Sequence, residues 1–234
     1  FVIDEEPGDM WGMKHLCNDW LNTPVALCVL GEATSLDIYL GHRGRLEMEL
    51  LSTGRMSHSS APWLGINAVN KMVPVLAEVE KISANLPEDE FLGRSTLSVT
   101  HISCQPGWGS TVPDVCRVNI DRRYIPAETT PEVIAQVQDI IDKCKEQDPD
   151  IDVKVKTREL PHTSYTGISE VDLLDKPAYL VPKDNIYVQK VEKALKEIGQ
   201  NPDYGKWNFG TDGAYTDCVL GIPTIGYSCG EEVY

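Results

Sequence analysis

Between Arg43 and about Glu159 the hydrophobic pattern changes period in the order strand, helix, strand, strand, helix, strand, and this order constrains the fold more than anything else in the chain. It opens with Arg45 to Leu51 (R-L-E-M-E-L-L), where charged and apolar residues alternate as on a strand with one wet face. Ile66, Val69, Val73, Leu76, Val79 and Ile82 then recur at a helical step, which predicts a helix from about Gly65 to Ile82, bent at Pro74. Ser95 to Ile102 and Val112 to Ile120 read as two strands parted by the turn Pro106-Gly107-Trp108-Gly109. Thr130-Pro131 starts a second helix with apolar positions at Val133, Ile134, Val137, Ile140 and Ile141, and Ile151 to Val155 alternates as the closing strand. This is the split βαβ pattern of a ferredoxin-like domain, with helices over one sheet face.

The flanks have another texture. Phe1 to Ile3 reads as the end of a buried strand, stopped by Pro7-Gly8. Asp9 then caps a helix whose Met10, Met13, Leu16, Cys17 and Trp20 share one face. Val25 to Leu30 is a continuous apolar run of the kind found in the middle of a parallel sheet covered on both sides, which completes a βαβ unit. A helix from Asp184 to Ile198, a loop at Gly210 to Gly213 and a short strand from Ile222 to Tyr227 resume that texture. The expected architecture is an α/β domain in two pieces, 1–42 and 160–234, interrupted by an inserted domain over 43–159.

Charge narrows the partners. With 21 Lys+Arg against 36 Asp+Glu the formal charge is −15, and no basic run occurs, which argues against nucleic acid and anionic membranes. No apolar stretch approaches the roughly 18–20 residues of a bilayer span. Seven cysteines are an odd number without a C-x-x-C pair, so a soluble protein of the reducing cytoplasm is expected rather than a disulfide scaffold or a thiolate zinc site. The chain begins at Phe1 rather than Met and ends at Tyr234, which reads as a piece of a longer protein.

Three places carry candidate chemistry. Asp4-Glu5-Glu6 sits where a strand meets a turn, and adjacent carboxylates there suit a metal ligand beside a general base; an exposed acidic turn is the plain alternative. Glu32 follows the Val25 to Leu30 strand at the equivalent strand end, so Glu6 and Glu32 can converge on one oxygen-ligand metal site. His58, in the loop G-R-M-S-H-S-S-A-P, is placed to donate to a developing oxyanion, or else bonds its own backbone. His15, His42, His101 and His162 read as structural.

Taken in order, D-E-E-P-G (4–8), G-E-A-T (31–34), G-H-R-G-R (41–45), G-R-M-S-H-S-S-A-P-W-L-G-I-N-A (54–68), V-P-D-V-C-R-V-N-I-D-R-R (112–123), F-G-T-D-G (209–213) and G-I-P-T-I-G (221–226) span nearly the whole chain. Together they resemble the co-catalytic zinc peptidase and amidohydrolase family that includes glutamate carboxypeptidase, succinyl-diaminopimelate desuccinylase, acetylornithine deacetylase, aminoacylase and peptidase T. The nearest branch is the uncharacterised hydrolases linked to selenium or purine metabolism. The resemblance implies a zinc-peptidase-like catalytic domain, incomplete here, interrupted by a ferredoxin-like dimerisation or lid domain. It implies two divalent metal ions, zinc first with cobalt or manganese as alternatives, and hydrolysis of a peptide or amide bond in a small peptide or N-acyl amino-acid-like substrate. Glu5 matches the general base, Glu6 and Glu32 match metal ligands, and His58 matches a histidine that reaches into the site of the other subunit of a homodimer formed through 43–159. Arg123 matches a residue that holds a substrate carboxylate, and Thr211 and Asp212 match a substrate-binding loop.

Two departures accompany the resemblance. Ser110 stands where relatives often have Asn. The family's remaining ligands, a His and a bridging Asp before the Glu pair and a His near the end, lie outside this sequence, so the segment alone is expected to be inactive. The alternatives are an inactive fragment or non-catalytic relative that acts only by dimerising, and a ferredoxin-like ligand-sensing module.

Overall fold

The computed structural model describes residues 10–107 and 109–232. Helix α1 (Trp11–His15) runs into a π-helical turn (Leu16–Trp20), followed by β1 (Cys28–Leu30), β2 (Ile38–His42) and β3 (Gly44–Thr53). Then come α2 (Ala68–Ser83), β4 (Thr96–Gln105), β5 (Val115–Tyr124), α3 (Thr130–Gln147) and β6 (Asp152–Thr157). A hairpin of β7 (Glu159–Thr163) and β8 (Ser169–Leu173) leads to the short strands β9 (Asp175–Lys176) and β10 (Tyr179–Leu180). The chain closes with α4 (Ile186–Glu197), β11 (Tyr204–Trp207), a second π-helical turn (Ala214–Val219) and β12 (Thr224–Gly226). Among the described residues no helix is long and apolar enough to cross a membrane.

The middle of the chain is an antiparallel sheet in the order β6-β3-β5-β4, with β9 added beside β3. Alternation decides which face is covered: Leu46, Met48 and Leu50 are fully buried on one side of β3, while Arg45, Glu47 and Glu49 line the other. Met72, Val75 and Val79 of α2 and Val133, Val137 and Ile141 of α3 fill the covered side. Both helices are capped by their own sequence. The Asn67 side chain accepts the Val69 and Asn70 N–H groups, and Thr129 and Glu132 close a reciprocal capping box ahead of Pro131. On the open face Asp121 accepts from Arg45 and Arg123, and Glu47 pairs with Arg45 and Arg158.

A second, mixed sheet joins β1, β12, β2 and β10 in that order, with β11 parallel to β2. Its core holds Ile38, Leu40, Tyr179, Val188, Trp207, Ala214 and Ile225. The two sheets are joined by a ribbon. β2 continues into β3 on one side, and on the other β10 pairs with β2 through Tyr179 opposite His42 while β9 pairs with β3 through Lys176 opposite Arg45. The pairing is close enough that a Cβ on Gly41 would overlap the Tyr179 carbonyl oxygen.

Two expectations are corrected. The Val25 to Leu30 run is not a mid-sheet strand covered on both sides: only Cys28–Leu30 is strand, β12 is its one partner among the described residues, and Val29 is 51% exposed. The first helix does not carry all five apolar residues as one α-helix either: Met10 is its N-cap residue in the left-handed region, and the α-helix ends at His15. At Leu16 it widens, the Leu21 N–H reaching the Leu16 carbonyl five residues back at 3.1 Å; Met10 and Met13 are buried and Leu16 and Trp20 exposed, while Met13, Leu16, Cys17 and Trp20 all line one groove.

Candidate functional site

Glu32 and Asp212 meet in one groove. Glu32 follows β1 as expected, and Asp212 ends the loop between β11 and the second π-helical turn, where its carbonyl accepts the Tyr215 N–H at 3.0 Å. The groove has a volume of about 710 Å³, and its remaining wall is mostly apolar, with Met13, Cys17, Leu27 and Cys28 among its residues. Burial, aided by the Asp212 charge, pushes the Cys17 and Cys28 thiols up, so both stay protonated near neutral pH.

Behind the groove the loop is fixed by buried polar groups. His42, at the end of β2, is fully buried; its Nε2 accepts the Thr211 N–H at 3.1 Å, and its Nδ1 lies 2.9 Å from the Arg43 carbonyl. A backbone N–H can only donate and a carbonyl only accept, so the ring is neutral with its proton on Nδ1. Burial first, with the positive charges of Lys176 and Arg123, pushes its pKa down to about 4, while the two backbone hydrogen bonds oppose the shift. Lys176, itself buried, donates to the Gly210 carbonyl at 3.4 Å. Thr211 Oγ1 accepts the Gly213 N–H at 3.2 Å, and a Cβ on Gly213 would overlap the Tyr179 hydroxyl. The ring of Tyr179 stands edge-on to His42 at 4.8 Å.

Arg123 lies near the same junction, on the open face of β5 directly opposite Arg45, its Nε donating to Asp121 at 2.8 Å. His58 does not. It follows the far end of β3, in a two-residue ladder where Ser57 faces Val112 and His58 faces Thr111. Ten residues of β3 separate that end from Gly44, roughly 30 Å at the strand rise. His58 is exposed, and its Nδ1 accepts the Ser60 N–H at 3.2 Å, which leaves the proton of the neutral ring on an outward Nε2.

The structure therefore brings together Glu32, Thr211 and Asp212, sets Arg123 close by and leaves His58 apart. Glu5 and Glu6 lie outside the described residues. Among the described residues no three metal-ligating side chains converge; Glu32, a carboxylate on the groove wall, suits one ligand of an oxygen-preferring ion. Sequence reading missed the support that His42 and Lys176 give the loop. His42 read as structural, which its buried place bears out, but nothing in a sequence pairs residue 42 with 211.

Residues 40–149 match the model of the peptidase dimerisation domain of the M20 family. The Escherichia coli (strain K12) protein YgeY, described as uncharacterized, is 33% identical over 202 residues, 86% of this chain and 49% of that protein. A probable carboxypeptidase of Aspergillus terreus is 37% identical over 108 residues, 42% of this chain and 25% of that protein. Among solved structures, the aminopeptidase PepT of Bacillus cereus matches all of this chain and 56% of its own at a TM-score of 0.69 and 17% identity. A Staphylococcus aureus tripeptidase matches 99% and 55% at a TM-score of 0.67 and 16% identity. The chain spans about half the length of YgeY, and its matching segment a quarter of the Aspergillus protein. In sequence motifs, in its dimerisation domain and in fold, the chain belongs to the M20 metallopeptidase and amidohydrolase family.

Proposed function

We propose that the full-length protein hydrolyses a peptide or amide bond in a small peptide or N-acyl amino-acid-like substrate, acting as a cytoplasmic homodimer. Residues 1–42 and 160–234 contribute to the catalytic unit, and 43–159 form the inserted unit through which two copies associate. One observation carries this reading: Glu32 and Asp212 share a groove beside a rigidly held Thr211, while the exposed His58 projects from the far end of the inserted sheet. A donor that far from its own groove suits the groove of a second subunit.

Each residue then has a task. Glu6 and Glu32 would hold divalent ions, zinc first, and such ions acidify water and neutralise developing negative charge. Glu5 takes the proton of the attacking water and returns it to the nitrogen as the C–N bond breaks. His58 donates its Nε2 proton in a hydrogen bond to the carbonyl oxygen as that oxygen gains charge. Arg123 receives a substrate carboxylate, and Asp212 lines the cleft, held there by the buried Thr211 beside it. Association is supported by exposed apolar side chains on the inserted unit, Val73 of α2 and Val99 and Ile102 of β4. The same side chains favour a second reading, a relative that only dimerises.

Replacing Glu5 in the full-length protein decides between them. Glu5→Gln should lower turnover by at least about a hundredfold with metal content unchanged. Unchanged turnover would overturn the general-base assignment, and no hydrolysis by metal-loaded wild type across dipeptides and N-acyl amino acids would favour the associative reading.

A further inference from the structure

Cys104 near the end of β4 and Cys116 near the start of β5 stand directly opposite each other in the antiparallel register. Both are free thiols. The neighbouring strand tells which kind of opposed pair they make. The Gly54 N–H donates to the Asp114 carbonyl at 2.7 Å, in line with a register that sets Thr53 opposite Val115. Asp114, just before β5, sends its N–H to the Gln105 carbonyl of β4 at 3.2 Å, but with its carbonyl toward β3 the even-numbered residues within β5 turn their backbone groups toward β3 and the odd-numbered ones bond β4. The Thr100 hydroxyl, donating to the Asn119 carbonyl at 3.3 Å, finds that carbonyl turned toward β4 as this requires. Cys104 and Cys116 therefore oppose each other at a non-hydrogen-bonded position, where Cα atoms stand about 4.5 Å apart and side chains approach most closely. Disulfides span Cα separations of about 4.4–6.8 Å.

We propose that Cys104 and Cys116 form a redox-active dithiol that oxidises to a cross-strand disulfide. Their surroundings divide the labour. Cys104 is exposed on the edge strand, whereas Cys116 is fully buried beneath the helices, its thiol pushed up by burial and secondarily by Cys104. The oxidant is a low-molecular-weight disulfide. The Cys104 thiolate attacks one of its sulfurs and expels the first small thiolate; the Cys116 sulfur, losing its proton, attacks Cys104 Sγ in the mixed disulfide and expels the second. The oxidant's S–S bond breaks, the Cys104–Cys116 bond forms, two electrons pass to the oxidant and two protons end on the released thiols. In a strand the side chains stand at right angles to the edge's hydrogen-bonding groups, so pairing along β4 leaves the two sulfurs neighbours.

The bond would close the 105–115 segment at its base. That segment supports His58: Thr111 faces His58, Val112 faces Ser57, and the Ser110 carbonyl accepts the Ser59 N–H at 2.9 Å. The inference rests on the β4–β5 register and the exposure of Cys104, and stands whether or not the hydrolase reading does.

Full-length protein incubated with oxidised glutathione, alkylated and digested without reduction provides the test. The expected result is a linked peptide pair containing Cys104 and Cys116, monomeric migration on a denaturing non-reducing gel, two fewer alkylatable thiols and reversal by dithiothreitol. Cys116→Ala should trap glutathione on Cys104 without a linkage. Cys104→Ser, a surface change that spares the core, should abolish both. Glutathione retained on Cys104 of wild type with Cys116 alkylated, a Cys104 bond between two chains, or linkage only among other cysteines would overturn the proposal.

Discussion

His42 has a ring that ordinarily titrates near pH 6.5, held neutral by burial because its Nε2 must accept the Thr211 N–H. The native state thus resists a proton that the unfolded chain takes up. Stability is complete above about pH 6.5 and falls as pH drops toward about 4, by on the order of 3 kcal/mol for this group. Urea unfolding across that window should show the loss in wild type and a flatter curve in His42→Gln, whose carboxamide oxygen can accept the same N–H; parallel curves would contradict the assignment. Arg122 makes a second residue-scale case. It is fully buried against Glu128, which also accepts from Ser95 and the Ile125 N–H. Glu128→Ala leaves a guanidinium without its counter-charge, so the midpoint of denaturation should drop by an amount equivalent to about 3–5 kcal/mol.

At the scale of elements, the inserted sheet and its helices follow from local rules. Helix α3 is stopped and started by its own residues, so Thr129→Ala, which removes the hydroxyl of the capping box, should cost about 1 kcal/mol in thermal or urea unfolding with the fold intact by circular dichroism. The alternation from Arg45 to Leu51, the helical step from Ile66 to Ile82 and the Thr130-Pro131 start were legible because each is a pattern within one element. What escaped depended on partners far along the chain. Val25 to Leu30 is as apolar as a mid-sheet strand, and that β12 alone flanks Cys28–Leu30 among the described residues depends on segments far along the chain. The widening at Leu16 leaves no mark in a 3–4 spacing, and β9 consists of a mere Asp175-Lys176, too short to show any period. For the same reason Glu32, Thr211 and Asp212 could be picked out by motif, whereas the His42 contact that holds the loop could not.

At the scale of the whole molecule, the long separation of His58 from its own groove makes a prediction about pairs of chains. In the full-length protein, Glu5→Gln and His58→Ala should each be inactive alone. Mixed after reversible dissociation, they should regain about a quarter of wild-type activity, since half of randomly formed dimers are mixed and each mixed dimer rebuilds one intact site. No recovery, with mixed dimers demonstrated by mass, would argue that His58 serves its own chain. Val73→Asp combined with Ile102→Asp should shift the sedimenting species toward monomer, because both are exposed apolar side chains of the inserted unit.

The double-stranded ribbon between the two sheets has a mechanical consequence. A single tether would let the inserted unit swivel freely, and a broad sheet would weld it in place. Two short antiparallel strands, cross-bonded at Arg45 with Lys176 and at His42 with Tyr179, behave instead like a leaf spring: stiff to shear and to bending within the ribbon plane, compliant only across it. Because Lys176 and His42 also grip the Gly210–Thr211 backbone, flexing that spring loads the loop beside Asp212 directly, so the angle of the inserted unit and the shape of the groove are mechanically one coordinate.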